Sequence, residues 1–254
     1  MNDFYIILHM YLFRYMHMYR MTFLFGLFSI SLSTMFAQQT KHVDSKTFYN
    51  LVNSGSGIVL DVRTSGEFSQ GHIENSTLIS INDPKVLEKL SLLQKERPIY
   101  VYCLTGSRSR VVADYLSKNG YAQVYNLQRG ILEWQRYGYK ITRGTAPVAN
   151  AAKSYSVSEF NQLLKSNNVV LVDFNAPWCA PCKQMAPIIA DLKQNYMGKA
   201  HVEKIDVQSN QVLQKVYNVQ SIPGLLLFKD GKQVWKHTGT ISYNELSRVL
   251  NQHL

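Results

Sequence analysis

Cysteine is scarce in this chain: three residues in 254, all inside two short motifs, so none is left to staple the fold. That scarcity excludes a disulfide-framework domain. It also argues against a structural zinc site, because Cys179 and Cys182 have no second pair of ligands at comparable spacing. Charged residues make up only 17%, and no basic run is interleaved with aromatics. The net charge of +10 therefore reads as a solvated lysine-rich surface, and no nucleic-acid partner is expected. Internal repeats and low-complexity tracts are missing, and no cofactor or metal is expected. What is present is 46% hydrophobic residues, enough for two globular domains with a core each.

Near the N-terminus, Met21 to Ala37 carries no charge, follows Arg20 and ends in a small residue. This is the pattern of a secretory signal peptide cut after Ala37, which implies a periplasmic or cell-envelope protein. An uncleaved anchor is the alternative; the short length and Ser31, Ser33 and Thr34 favour cleavage. Residues 1–20 resemble no fold element, and Met16, Met18 and Met21 are alternative starts.

Short apolar runs alternating with helical periodicity organise the remainder. From 41 to 143, Gly57–Val62 and Ile99–Tyr102 read as buried strands, with helical spacing over Pro84–Leu93 and Ser107–Lys118. The alternation predicts an α/β domain with a largely parallel sheet. Residues 144–153 are small, polar and unpatterned, as a linker is. From 154 to 254, Ser156 and Glu159 form a capping-box pattern opening a helix through Leu164, and Val169–Phe174 reads as a buried strand. A helix is predicted over Cys182–Tyr196, bent at Pro187. Leu225–Phe228 and Gln233–His237 flank a hairpin turn at Asp230-Gly231, and Ser242–His253 closes as an amphipathic helix.

Trp178-Cys179-Ala180-Pro181-Cys182-Lys183 places two thiols one turn apart at a predicted helix start, where they can close and reopen a small disulfide ring. The unpaired amides and positive dipole end there stabilise a thiolate at Cys179, leaving Cys182 as resolving thiol. With Val172-Asp173-Phe174 upstream, the segment from 154 to 254 resembles thioredoxin. The resemblance implies a mixed sheet flanked by helices and a redox-active Cys179–Cys182 disulfide. It makes Ser221-Ile222-Pro223 a cis-proline loop that contacts substrate, with Trp178 beside it. Asp173 becomes a buried proton acceptor for the resolving thiol, and Lys204 modulates it. Ala180, Asn175 and Gly224 depart from the usual glycine, tryptophan and threonine.

Cys103 ends one predicted strand and precedes a predicted helix. In Cys103-Leu104-Thr105-Gly106-Ser107-Arg108, a tight glycine loop can aim amides at the sulfur, and Arg108 can hold an oxyanion. This loop, Leu60-Asp61-Val62-Arg63, Glu67-Phe68 and Gly71-His72-Ile73 resemble the rhodanese family across about 43–143. The resemblance implies sulfur transfer through a Cys103 persulfide, with Leu104 to Arg108 binding the donor. Asp61, Arg63, Glu67 and His72 are read as structural. The loop has one residue fewer before its arginine than related cysteine phosphatases, so it suits sulfur rather than phosphate.

Together the motifs imply a thiol–disulfide oxidoreductase coupled to a sulfurtransferase. Its expected partners are a sulfane-sulfur donor (thiosulfate, polysulfide or persulfide), disulfide-containing proteins and, after export, a membrane electron donor. The alternative is a general envelope disulfide reductase whose rhodanese-like domain is only a binding module. Disulfide formation instead of reduction is a third reading, because the motif does not set direction.

Overall fold

The computed structural model describes residues 40–144 and 153–254. The expected signal segment, 1–37, and residues 145–152 of the expected linker lie outside the described residues.

Strands β1 (Lys41–Val43), β2 (Ile58–Asp61), β3 (Thr77–Leu78), β4 (Ile99–Tyr102) and β5 (Val124–Leu127) form one sheet, ordered β1-β5-β4-β2-β3, with every pairing parallel. β2 and β4 are buried along their whole length, which is why they read as unbroken apolar runs without alternation. Five helices accompany them: α1 (Ser45–Asn53), α2 (Ser65–Gln70), α3 (Val86–Ser91), α4 (Ser107–Lys118) and α5 (Gly130–Arg136). The α4 bounds are those expected from the sequence. α3 is shorter than the apolar spacing suggests, because the chain leaves the helix at Leu92 and buries both Leu92 and Leu93. α5 stops at Arg136, ahead of left-handed Gly138, and Tyr139 stacks on Tyr49 with ring centroids 4.3 Å apart.

A buried ionic knot ties β2 to the turn after α2. Arg63 Nη2 donates to Asp61 Oδ2 at 2.6 Å and to the Gly71 carbonyl at 2.8 Å, and Arg63 Nε donates to Asp61 Oδ1 at 2.9 Å. The Tyr102 ring lies 5.5 Å from the guanidinium, and its hydroxyl accepts from the Ile73 amide at 3.1 Å.

The second sheet holds β6 (Val169–Asn175), β7 (His201–Asp206), β8 (Gly224–Lys229) and β9 (Lys232–Thr238) in the order β7-β6-β8-β9. β6 and β7 are parallel, while β8 runs antiparallel to β6 and β9. Asp230 and Gly231 both take positive φ, the turn geometry that the β8–β9 hairpin needs. Helices α6 (Val157–Lys165), α7 (Ala180–Asn195), α8 (Gln211–Val216) and α9 (Tyr243–Asn251) complete this half. The α6 capping box forms as expected, with Glu159 N donating to Ser156 Oγ and Ser156 N to Glu159 Oε2. α7 begins two residues earlier than the sequence reading, because the Cys179 sulfur itself caps the helix. The result is the α/β architecture anticipated: a parallel sheet, then a mixed sheet with helices.

One apolar cluster runs through both halves, joining Leu90, Leu92 and Val101 to Trp178, Ile222 and Phe228. Among the described residues no helix is long and apolar enough to cross a membrane. Replacing Arg63 by Met strands the Asp61 carboxylate in the core and is expected to destabilise the fold by about 3–5 kcal/mol, read by urea unfolding followed by circular dichroism.

Candidate active site

Two sulfur centres are built at the same kind of junction, a buried strand running into a helix. At the first, β4 delivers Cys103 into the core with none of its surface exposed. Gly106, in the left-handed region at φ +96°, turns the loop so that its amide donates to Cys103 Sγ at 3.1 Å. A side chain at Gly106 would run into the Gln128 carbonyl, and one at left-handed Gly130 into the Leu104 carbonyl. The loop is thus clamped against the start of α5, whose Ile131 and Leu132 amides bind the Cys103 and Leu104 carbonyls.

Ser109 was not anticipated from the sequence. Its hydroxyl lies 3.4 Å from Cys103 Sγ and 3.2 Å from the Gly106 carbonyl, and its one hydrogen serves either acceptor. The only sequence signal was a hydroxyl in the first turn of α4. Burial disfavours the Cys103 thiolate. The Ser109 hydroxyl and the amides of Ser109, Thr105 and Gly106 outweigh it, so the thiol sits below its ordinary pKa.

Arg108, expected to hold an oxyanion, has a partner of its own in the structure. Its guanidinium fork is occupied by Glu67, with Nη1–Oε2 at 2.9 Å and Nη2–Oε1 at 2.6 Å. The same carboxylate caps α2 through Thr64, and the Arg108 bond pulls the Glu67 pKa down to about 2. Leu104 is half-buried, while Thr105 and Ser107 are exposed at the mouth of the loop.

At the second centre Cys179 and Cys182 form a disulfide with Cα atoms 5.3 Å apart. The Cys182 amide donates to Cys179 Sγ at 3.2 Å. Asp173 lies in the middle of the sheet, in register with Lys204 on β7 and Leu225 on β8. Its Oδ1 is buried and has no hydrogen-bond partner among the described residues, and its Oδ2 accepts from Asn175 Nδ2 at 3.2 Å. Burial raises the Asp173 pKa to about 7, against the opposing pull of Lys204 and Asn175. Asn175, noted as a departure, therefore serves the carboxylate directly. The Ile222–Pro223 peptide is cis, as the loop pattern implied. At Gly224 a Cβ would come within 2.9 Å of the Val219 side chain and 3.1 Å of the Ser221 carbonyl, so a larger residue there needs its neighbours to shift.

Cys103 and the Cys179–Cys182 pair are not joined by any described hydrogen bond or ion pair. The hydrogen bonds of the Cys103 loop stay within the N-terminal half. The surroundings of the pair are instead met by other parts of that half. Thr77 Oγ1 accepts from the Ala180 amide at 3.1 Å, the Ile222 amide donates to the Leu92 carbonyl at 3.1 Å, and Gln94 Nε2 donates to the Ile222 carbonyl at 3.3 Å. Among the described residues no group of three or more His, Cys, Asp or Glu gathers as a metal site would.

With the disulfide closed, Cys103 is the one free thiol, so thiolate absorbance at 240 nm reports it alone. Replacing Ser109 by Ala is expected to move that titration to higher pH, because a donor to the thiolate is lost while burial stays.

The Rhodanese-like domain family model matches residues 44–137, and the Thioredoxin model matches 151–252. Thioredoxin 1 of Nostoc sp. is 40% identical over 106 residues, which are 41% of this chain and 99% of that protein. Thioredoxin of Staphylococcus epidermidis is 44% identical over 97 residues, 38% of this chain and 92% of that protein. Its Staphylococcus aureus counterpart is 43% identical over the same length and shares. With a complete thioredoxin domain carrying its cysteine pair, preceded by a sulfurtransferase-type rhodanese-like domain, the chain belongs to the thioredoxin family and is a thiol–disulfide oxidoreductase.

Proposed function

We propose that the chain couples sulfur transfer at Cys103 to reduction at Cys179 and Cys182. The observation that carries this reading is the Cys103 sulfur, buried yet contacted by an amide and a hydroxyl that favour its thiolate form and lower its pKa. Such a thiolate attacks the outer sulfur of a sulfane donor. With thiosulfate, one S–S bond breaks, sulfite leaves and a Cys103 persulfide forms, its anionic sulfur met by the same donors. Leu104 to Arg108 shape the mouth where the donor binds.

Reduction then uses the thioredoxin pair in its dithiol form. The Cys179 thiolate takes the outer sulfur from the persulfide or from a low-molecular-weight persulfide carrier, and the carrier thiolate leaves. Cys182 next attacks the Cys179 sulfur, hydrosulfide departs and the Cys179–Cys182 disulfide closes. Asp173 accepts the proton of Cys182, with Lys204 biasing the carboxyl toward its anion. A protein disulfide is reduced by the same two steps, with Trp178, Ile222 and Pro223 forming the contact surface. Two electrons must return to the pair afterwards; in the cell envelope, where the segment Met21–Ala37 would direct the chain, a membrane electron donor supplies them.

A second reading makes the rhodanese-like domain a binding module beside a general disulfide reductase. It is favoured by the contacts of Thr77, Leu92 and Gln94 around the cysteine pair. Sulfide release from thiosulfate by the dithiol form separates the two. Cys103→Ser is expected to abolish it, whereas an equal rate in wild type and variant would leave only the binding-module reading.

Asp173 carries a pH signature. Its native carboxyl keeps a proton up to about pH 7, while an unfolded one releases it near 3.8. Stability therefore falls as pH rises from about 4 to about 7 and stays level above. Asp173→Asn is expected to raise stability at pH 8 by on the order of 4 kcal/mol and to flatten the rise of disulfide-reduction rate through pH 7, measured by urea titration and stopped-flow kinetics.

A further inference from the structure

The surface around the cysteine pair is the part of a thioredoxin domain that must meet a substrate, and here it is already filled. Ala180 is the first residue of α7, so its amide has no acceptor within the helix; it is satisfied by the Thr77 hydroxyl on edge strand β3. Ile222 uses both of its backbone groups on one stretch of chain, donating to the Leu92 carbonyl and accepting from the Gln94 side chain. Gln94 is a polar residue only 6% exposed, and this contact accounts for its burial. Leu90, Leu92 and Leu93 belong to the same apolar cluster as Trp178, Cys179, Cys182 and Ile222.

The rim adds polar contacts. Gln211 Nε2 donates to Glu88 at 2.7 Å, and the Lys89 ammonium, paired with Asp83 at 2.6 Å, lies 5.9 Å from the Trp178 ring centroid. Under this cover Cys179 is 3% and Cys182 5% exposed. A disulfide must come within about 3–3.5 Å of the attacking sulfur to react, and a sulfur this buried leaves little room for one.

We propose that the rhodanese-like domain occupies the substrate face of the thioredoxin domain in the resting enzyme, with Leu92–Gln94 held by Ile222 as an internal pseudo-substrate, so that protein disulfides reach Cys179 only after this domain lifts away. The proposal rests on Cys179 as the attacking thiol and is independent of Cys103 chemistry.

The test compares the full-length wild type with Thr77→Val/Gln94→Ala, which removes two hydrogen bonds of the contact and leaves both cysteine centres intact. Insulin disulfide reduction, driven by dithiothreitol, is expected to quicken at least about fivefold, the factor that one lost hydrogen bond of ordinary net strength allows. Amide hydrogen exchange at Ala180 and Ile222 is expected to be slow in the wild type and fast in the variant. If the double variant does not fold, Lys89→Glu at the rim replaces it with the same expectations. Equal insulin rates within about twofold, or fast exchange of both amides in the wild type, would overturn the proposal. Cys179→Ser retaining insulin reduction would instead remove the attacking-thiol reading beneath it.

Discussion

One hydrogen bond recurs at both reactive centres: an amide three residues on donates to the cysteine sulfur. Gly106 N reaches Cys103 Sγ at 3.1 Å, and Cys182 N reaches Cys179 Sγ at 3.2 Å. The bond requires a buried strand to stop, the chain to turn, and a helix to begin with its free amides facing back. In the thioredoxin domain the cysteine itself caps the helix. In the rhodanese-like domain a left-handed glycine caps it, which sets the sulfur one loop deeper, beyond the helix start. The rest of each half serves to hold that junction still.

The supporting charges differ in kind. Asp61 is neutralised by Arg63 within the core, and the pair locks the strand beside the Cys103 loop. Among the described residues Asp173 has no such partner; one of its oxygens is buried and unpaired, and its pKa stands near 7. A paired buried carboxylate is structural, whereas an unpaired one costs stability, and its retention points to chemistry. Glu67 lies between these cases, capping α2 while gripping Arg108, so the arginine expected to hold an anion is tethered at rest.

Much of this was legible in the sequence. α4, the α6 capping box and the β8–β9 hairpin follow from local rules, in which a periodic apolar face, a Ser/Glu pair or an Asp-Gly turn needs no distant partner. Strands β1, β3, β5 and β7 did not stand out. β3 has two residues and β1 three, too few for any period, and their strand character exists only through the neighbours they pair with. Ser109 escaped for a related reason: its relation to Cys103 depends on the turn that Gly106 makes and not on spacing.

By itself the sequence determined the local setting of each sulfur, because the following amides, the helix start and the glycine that permits the turn all lie within a few residues of it. The tertiary structure alone decided what each sulfur can meet. Thr77 with Ala180 and Gln94 with Ile222 are 103 and 128 positions apart, and nothing local marks Leu92 or Gln94 as more than ordinary buried residues. Access depends on which surfaces cover one another, and that follows from the packing of whole domains.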